Sequence, residues 1–273
     1  MTEHGAGLDR DGYFLREGSL DRVSAPFAPV VAELGARIGT CFGPGRLHSS
    51  YLFGSVPRGT AVPGVSDLDA LIALGDEPTD ADRAAVRAVE HALDAAFPQI
   101  NGVGILLFGV HRLRSARERY DLGWFVACLC TPVSGPDLAA ELPRYRPTSL
   151  LARETNGDLF RSLPGWREKA AAATTEAERT RLTRGVARRL VRTGFTLVMP
   201  HWGGWTSDLA ESAEVFGRYY PAHAEQMHAA ARAARAPAAY PELLDDLLTG
   251  LAPWLAAEYL AVHGAKTPPP RTD

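Results

Sequence analysis

This 273-residue sequence contains very little lysine and has only a small net charge. Only Lys169 and Lys266 are lysines among its 29 basic residues, and the formal net charge is −3. Proteins that coat nucleic acid are usually strongly basic, so this balance argues against a polynucleotide partner. The enrichment in arginine and alanine is typical of a GC-rich coding sequence and carries no chemistry by itself.

Cysteine is also scarce, and its three positions have no metal-binding spacing. Cys128 and Cys130 stand in the apolar stretch FVACLC, which is typical of small buried side chains, and an odd count fits a reducing compartment. No apolar run reaches the roughly 20 residues that a membrane-spanning helix needs. The N-terminal residues MTEHGAGLDRDG lack the basic and apolar segments of a signal peptide. These absences predict a cytoplasmic protein without a membrane partner.

The N-terminal part of the chain alternates between helix and strand patterns. The predicted elements are, in order, a helix at 25–42 ended by GPG, strands at 47–53 and 67–74, a helix that ends before Pro98, and a strand at 101–110. This order predicts a small mixed sheet with helices packed on it. Residues 1–20 are polar and rich in glycine, and they predict a loose arm.

Helix patterns dominate from about Arg114 onward, the clearest of them at 177–199. Further helices are expected at 208–219, 222–235 and 241–262. The sequence therefore predicts an α+β fold of two domains, with a sheet domain at 1–140 and a helical bundle at 141–273.

The stretch SYLFGSVPRGTAVPGVSDLDALIAL, residues 50–74, contains the candidate site. Gly54 permits a sharp turn close to a ligand, and Ser55 offers a hydroxyl and a backbone N–H, a combination that can hold a phosphate. Asp67 and Asp69 lie two residues apart at the start of a strand, so their side chains point to the same face. Two carboxylates that close repel unless a cation lies between them. Because Mg²⁺ combines one or two carboxylates with substrate phosphates, the stretch predicts a Mg²⁺ and polyphosphate site.

Gly-Ser, a gap of eleven residues and Asp-Leu-Asp at the head of an apolar strand resemble the signature of the DNA polymerase β-like nucleotidyltransferase superfamily. The form FGSVPRG…SDLDALIAL is most similar to the minimal branch that includes the aminoglycoside adenylyltransferases. The later RRLVRTGFTLVMPHWGGWTSDLAESAEVF is loosely similar to the helical region of the streptomycin/spectinomycin adenylyltransferases. The resemblance implies that Gly54 and Ser55 contact nucleotide phosphates and that Asp67 and Asp69 bind two Mg²⁺ ions. It further implies a nucleotide ester as product, with pyrophosphate released.

The third strand departs from this pattern. Members of the superfamily usually carry a third carboxylate there, beside the attacking hydroxyl, but INGVGILLFGV contains no acid, and Gly104 stands at the expected position. Other acids could move in, although the motif places none of them: Glu118, Asp121, Asp137 and Glu154.

Two arginines are further candidates for the nucleotide site. Arg58 follows the Gly-Ser turn, and it either contacts a phosphate or is solvated. The 177–199 helix also carries a stripe of arginines, for which a solvated face with ion pairs is the simpler interpretation. Arg192, which stands next to Thr193-Gly194, is the member that we expect at a triphosphate, whose geometry a guanidinium group matches. The stripe consists of Arg181, Arg184, Arg188 and Arg192.

The sequence thus predicts a Mg²⁺-dependent enzyme of the nucleotidyltransferase class. It would transfer a nucleoside monophosphate, AMP from ATP in the first instance, to a hydroxyl of a small-molecule acceptor held between the two domains. One alternative is a catalytically impaired member of the same fold, which binds nucleotide in a regulatory role. Another is a metal-dependent glycosyltransferase, which also uses Asp-x-Asp but normally needs a larger doubly wound sheet.

Overall fold

The computed structural model describes residues 6–236 and 241–268. Contacts divide the chain into two units. One unit spans Phe14–Tyr145 and contains the β-sheet, and the other joins the chain up to Tyr13 to the chain from Arg146 onward and is helical. Among the helices of the described residues, none is long and apolar enough to cross a membrane.

The sheet unit contains four strands in the spatial order β3-β2-β1-β4. Its elements are α1 (Ala28–Arg46), β1 (Leu47–Phe53), α2 (Ser55–Arg58), β2 (Leu68–Leu74), α3 (Asp80–Ala96), β3 (Val103–Gly109), α4 (Val110–Arg114), π-helical turns at Arg119–Gly123 and Phe125–Leu129, and β4 (Thr131–Ser134). Short 3₁₀ turns lie at Leu20–Arg22 and Leu138–Glu141. β2 runs parallel to β3 and antiparallel to β1, and β1 is antiparallel to β4. The mixed sheet that the sequence predicts is confirmed.

Two buried apolar clusters hold the central strands in place, and the larger of them packs the helices α1 and α3 against the sheet. Leu34 of α1 and Leu93 of α3 pack with Leu68 of β2 in one buried cluster. Each buried side chain of this size contributes roughly 1.5–3 kcal/mol. The start of α3 is fixed by a capping box, in which Thr79 and Asp82 exchange side-chain and backbone hydrogen bonds. Because Leu68 is fully buried, the residues on either side of it are turned toward the opposite face.

The helical unit is built around its longest helix. Its elements are α5 (Ser149–Asn156), α6 (Leu159–Ala172), α7 (Glu176–Trp202), α8 (Leu209–Tyr219), a 3₁₀ turn at Pro221–His223, α9 (Ala224–Arg235), α10 (Pro241–Asp246), a π-helical turn at Leu247–Leu251, and α11 (Ala252–His263). Helices α8 and α9 pack against α7. Gly194 of α7 makes the close approach to α9 possible, since a Cβ there would lie 2.4 Å from Met227 Cε. The predicted helical C-terminal region is confirmed.

The prediction of a loose N-terminal arm was wrong. The stretch from Phe14 to Ser19 is not a loose arm, because backbone hydrogen bonds join Phe14 N to Tyr145 O, Glu17 N to Cys128 O and Ser19 N to Pro57 O. Residues 1–5 of the predicted arm lie outside the described residues.

The strand β4, which contains Pro132, has no counterpart among the predicted elements. Proline lacks a backbone N–H and is tolerated only at positions such as an edge strand, where the missing donor leaves no gap in the ladder. β4 is such an edge strand. The first helix breaks at Gly43 (φ 61°, ψ 173°), where the GPG run predicts its end, and a short further turn reaches Arg46.

Candidate functional site

The turn after β1 approaches the acid-bearing strand very closely. Gly54 has φ 81° and ψ −151°, a conformation that is open in practice only to glycine. A Cβ at Gly54 would lie 2.8 Å from Asp69 Oδ2, closer than real Cβ contacts come. The backbone of the Gly-Ser turn therefore lies directly against the carboxylate of Asp69, as the predicted site requires. Ser55, which is half-buried, begins α2 at this point.

The strand register places the two aspartates. Phe53, the last residue of β1, pairs with Asp69 of β2, and Asp67 lies one residue before β2 begins. Both aspartates are half-buried, while Leu68 between them is fully buried. Alternation along the strand thus turns both carboxylates away from the apolar cluster that contains Leu68.

The loop before β3 supplies an amide group beside Asp67. Asn101 Nδ2 lies 3.5 Å from Asp67 Oδ1, at the limit of a hydrogen bond. The loop is held in place by backbone hydrogen bonds from Leu68 N to Gly102 O and from Asn101 N to Ser66 O. Sequence reasoning did not select Asn101. Its position at the entry to the strand parallel to β2 is the signal that could have found it.

Gly104 lies beside Asp69 on the neighbouring strand. The two residues are paired in the parallel register of β2 and β3, and a Cβ at Gly104 would lie 3.4 Å from Asp69 Oδ1. The position where the superfamily usually has its third acid is therefore next to the aspartate pair, and it carries no side chain.

Three of the four acids proposed as replacements have other partners. Asp137 forms an ion pair of 2.8 Å with Arg16, and Glu118 lies 3.6 Å from Arg112. Glu154 belongs to the helical unit and accepts hydrogen bonds from Thr267. Asp121 lies in the first π-helical turn. Within residues 6–236 and 241–268, no group of three or more His, Cys, Asp or Glu side chains is arranged to hold a metal.

The donor chemistry at the aspartate pair nevertheless suits a hard cation. Asp67 and Asp69 are two oxygen ligands on one face, and Mg²⁺ usually takes only one or two protein carboxylates, with substrate phosphates and water filling the remaining positions. The residues present therefore fit a Mg²⁺ ion that is completed by a phosphate-bearing substrate.

The two predicted arginines lie in different units of the chain. Arg58, in α2, lies 3.6 Å from Glu17, and both side chains are largely shielded from solvent. Arg192 is exposed on α7 and belongs to the helical unit. The structure thus brings Gly54, Asp67 and Asp69 together, and it gives Arg58 a carboxylate partner that the sequence analysis did not anticipate.

No protein-family model matches the chain, and no curated protein matches it by sequence. Its structure is similar to the crystal structure of spectinomycin adenyltransferase AAD(9) from Enterococcus faecialis with ATP and spectinomycin. The TM-score is 0.52 and the sequence identity 14%, and the match covers 85% of this chain and 98% of that chain. At this identity the similarity concerns the fold. The fold that the Gly-Ser and Asp-x-Asp resemblance implies is confirmed: the chain shares the α+β fold of that adenyltransferase.

Proposed function

We propose that this protein is a Mg²⁺-dependent nucleotidyltransferase that transfers AMP from ATP to a hydroxyl group of a small-molecule acceptor. The observation that carries the proposal is the contact between the Gly54 turn and the Asp69 carboxylate, with Asp67 on the same face of β2. A phosphate-holding turn and a cation-holding pair of acids are thereby joined in one place. The nucleotidyltransferase fold supports this reading.

Each residue of the cluster has a defined role in this proposal. The backbone of Gly54 and the hydroxyl of Ser55 contact the triphosphate, and Asp67 and Asp69 hold the metal. Arg58 is a further phosphate ligand if it leaves Glu17, and Arg192 is a proposed contact from the helical unit. When bound, Mg²⁺ supplies charge neutralisation at the phosphates.

The transfer itself needs positioning more than covalent chemistry from the protein. The acceptor hydroxyl oxygen forms a bond to the α-phosphorus, the bond from that phosphorus to the bridging oxygen breaks, and pyrophosphate leaves with its electron pair. The hydroxyl proton is released. The negative net charge favours a cationic acceptor such as an aminoglycoside-like compound. We propose a cytoplasmic location for the reaction, where ATP is available.

A specific observation also favours a second function. Because Gly104 leaves no side chain beside Asp69, the protein could bind MgATP without turnover and act as a nucleotide sensor. The fold and the aspartate pair are the same in both proposals, and the acid that promotes attack is the feature that separates them.

An assay of pyrophosphate release tests the proposal. The assay uses each nucleoside triphosphate, with and without Mg²⁺, and a panel of amino-sugar acceptors that includes spectinomycin. Asp67→Asn and Asp69→Asn should each reduce release by about 100-fold or more, because each removes several kcal/mol of charge stabilisation. Asp94→Asn, an exposed site on α3, is the matched control and should leave it unchanged.

Calorimetric binding of MgATP, measured on the same proteins, separates the two functions. Tight binding without release on any acceptor would favour the sensor. Absence of binding, or binding that neither aspartate variant weakens, would contradict both.

A further inference from the structure

A groove of about 530 Å³ lies between the C-terminal half of α6 and the first three turns of α7. Its volume is within the range of small-molecule sites. Trp166, Leu182 and Val186 supply apolar surface, and Lys169 and Arg181 supply two positive charges. All of these residues belong to the helical unit, and the proposed nucleotidyl transfer uses none of them.

One lining residue, Gly185, lies in the interior of α7. Glycine in a helix interior is destabilising relative to alanine. At Gly194 of the same helix the packing requires glycine, since Met227 fills the space beside it. A Cβ at Gly185 would meet nothing within 4 Å. Gly185 therefore contributes nothing to packing, and its effect is to leave the wall of the groove open.

The charges along the groove favour an anion. Lys169 and Arg181 are both exposed, and within the described parts of the chain neither forms an ion pair. The nearby carboxylate of Glu178 is engaged by the cap of α7, where it accepts hydrogen bonds of 3.0 Å from Thr174 N and Thr175 N. These hydrogen bonds also hold the pKa of Glu178 below its usual range. Glu178 thus serves the helix end, and the two cations remain available to a ligand.

We propose that this groove binds a small organic anion with a flat or aliphatic body and a single carboxylate, sulfonate or phosphate ester group. The apolar body packs against Trp166 and Leu182, and the acid group is held by Lys169 and Arg181. Indole rings and guanidinium groups suit such ligands because the first offers a flat apolar face and the second a planar set of donors. The proposal does not rest on the nucleotidyltransferase activity.

The fluorescent probe 8-anilinonaphthalene-1-sulfonate has this chemistry, and titration of the full-length protein with it tests the proposal. We expect the probe to bind saturably and its fluorescence to increase. Energy transfer from tryptophan to the bound probe should also occur, and Trp166→Phe should reduce that transfer. Gly185→Leu should fill the groove and weaken binding of the probe by at least about tenfold. Because leucine is a better helix former than glycine, the same substitution should raise the melting temperature. Because the filled variant is expected to be more stable, weaker binding could not be attributed to unfolding.

Matched controls decide between a groove and general adhesion of the probe. Gly39→Leu changes a helix glycine that also has open space beside it, in α1, and should not affect binding. The double variant Lys169→Gln/Arg181→Gln should weaken binding and remove most of its salt dependence, whereas Arg232→Gln, exposed on α9, should do neither. The proposal is overturned if the wild type shows no saturable binding, if Gly185→Leu binds as the wild type does, or if Arg232→Gln weakens binding as much as the double variant.

Discussion

Replacing Gly54 by alanine should disable the candidate site through two separate effects. The backbone at φ 81° and ψ −151° is strained for any residue with a side chain, by about 1–3 kcal/mol. In addition, the new Cβ would lie 2.8 Å from Asp69 Oδ2, so the carboxylate must move. We expect the free energy of unfolding to fall by about 2–3 kcal/mol in total, which lowers the melting temperature by about 4–12 °C.

Gly64→Ala separates strain from displacement of the carboxylate. Gly64 also has a positive φ of 74°, but a Cβ there would meet nothing within 4 Å. Both variants should lose stability in thermal unfolding followed by circular dichroism. Only Gly54→Ala should lose MgATP affinity, by about tenfold or more, in calorimetry below the melting temperature. If the two variants bound MgATP equally well, the contact between the turn and Asp69 would not be the basis of the site.

Three further substitutions test other parts of the structure. Gly104→Asp should place a carboxylate beside Asp69 and raise pyrophosphate release by about tenfold or more, and an unchanged rate would show that position 104 is not what limits turnover. Thr175→Ala removes the N-cap of α7 and should cost about 1 kcal/mol, or about 2–4 °C in thermal unfolding, and an unchanged melting temperature would contradict the cap. The hydrogen bond from Arg46 holds the pKa of Asp82 well below its usual range. The pair therefore stabilises the fold fully at pH values above the ordinary aspartate pKa of about 3.9, and this stabilisation is lost as the pH falls toward the lowered pKa of Asp82. The melting-temperature gap between wild type and Arg46→Gln should therefore be full at neutral pH and narrow on acidification below pH of about 4, and a constant gap would contradict the linkage.

Elements with strong periodicity or clear end signals could be predicted from the sequence. The amphipathic pattern and Thr-Asp cap of α3 are local features, and the structure has both. β4 and the segment from Phe14 to Ser19 could not be predicted in this way, because tertiary hydrogen bonds stabilise them rather than their own pattern. Proline at position 132 argues against a strand unless that strand lies at the edge of a sheet. Whether a strand lies at an edge depends on the assembled sheet, so the sequence of the strand does not show it.

The candidate site divides along the same line. Asp67 and Asp69 are fixed by alternation within one strand, so their shared face follows from spacing alone. The contact of Gly54 with Asp69, by contrast, depends on the antiparallel register of β1 and β2. Asn101 and Glu17 become relevant only through their partners Asp67 and Arg58, which lie far from them in the sequence. Contacts between residues far apart in the sequence cannot be predicted from local sequence patterns.

The register at Gly104 also bears on how the two proposed functions are related. Position 104 lies next to Asp69 because β2 and β3 pair in parallel along their whole length, from Leu68 with Val103 to Leu74 with Gly109. A side chain at 104 would therefore begin beside Asp69. If the protein is an active transferase, another group must receive the hydroxyl proton, and an amine of the acceptor itself is chemically able to do so. We therefore expect the turnover of the wild type to require a neutral amine in the acceptor. In the Gly104→Asp variant the new carboxylate should receive the proton, so turnover should no longer depend on that amine.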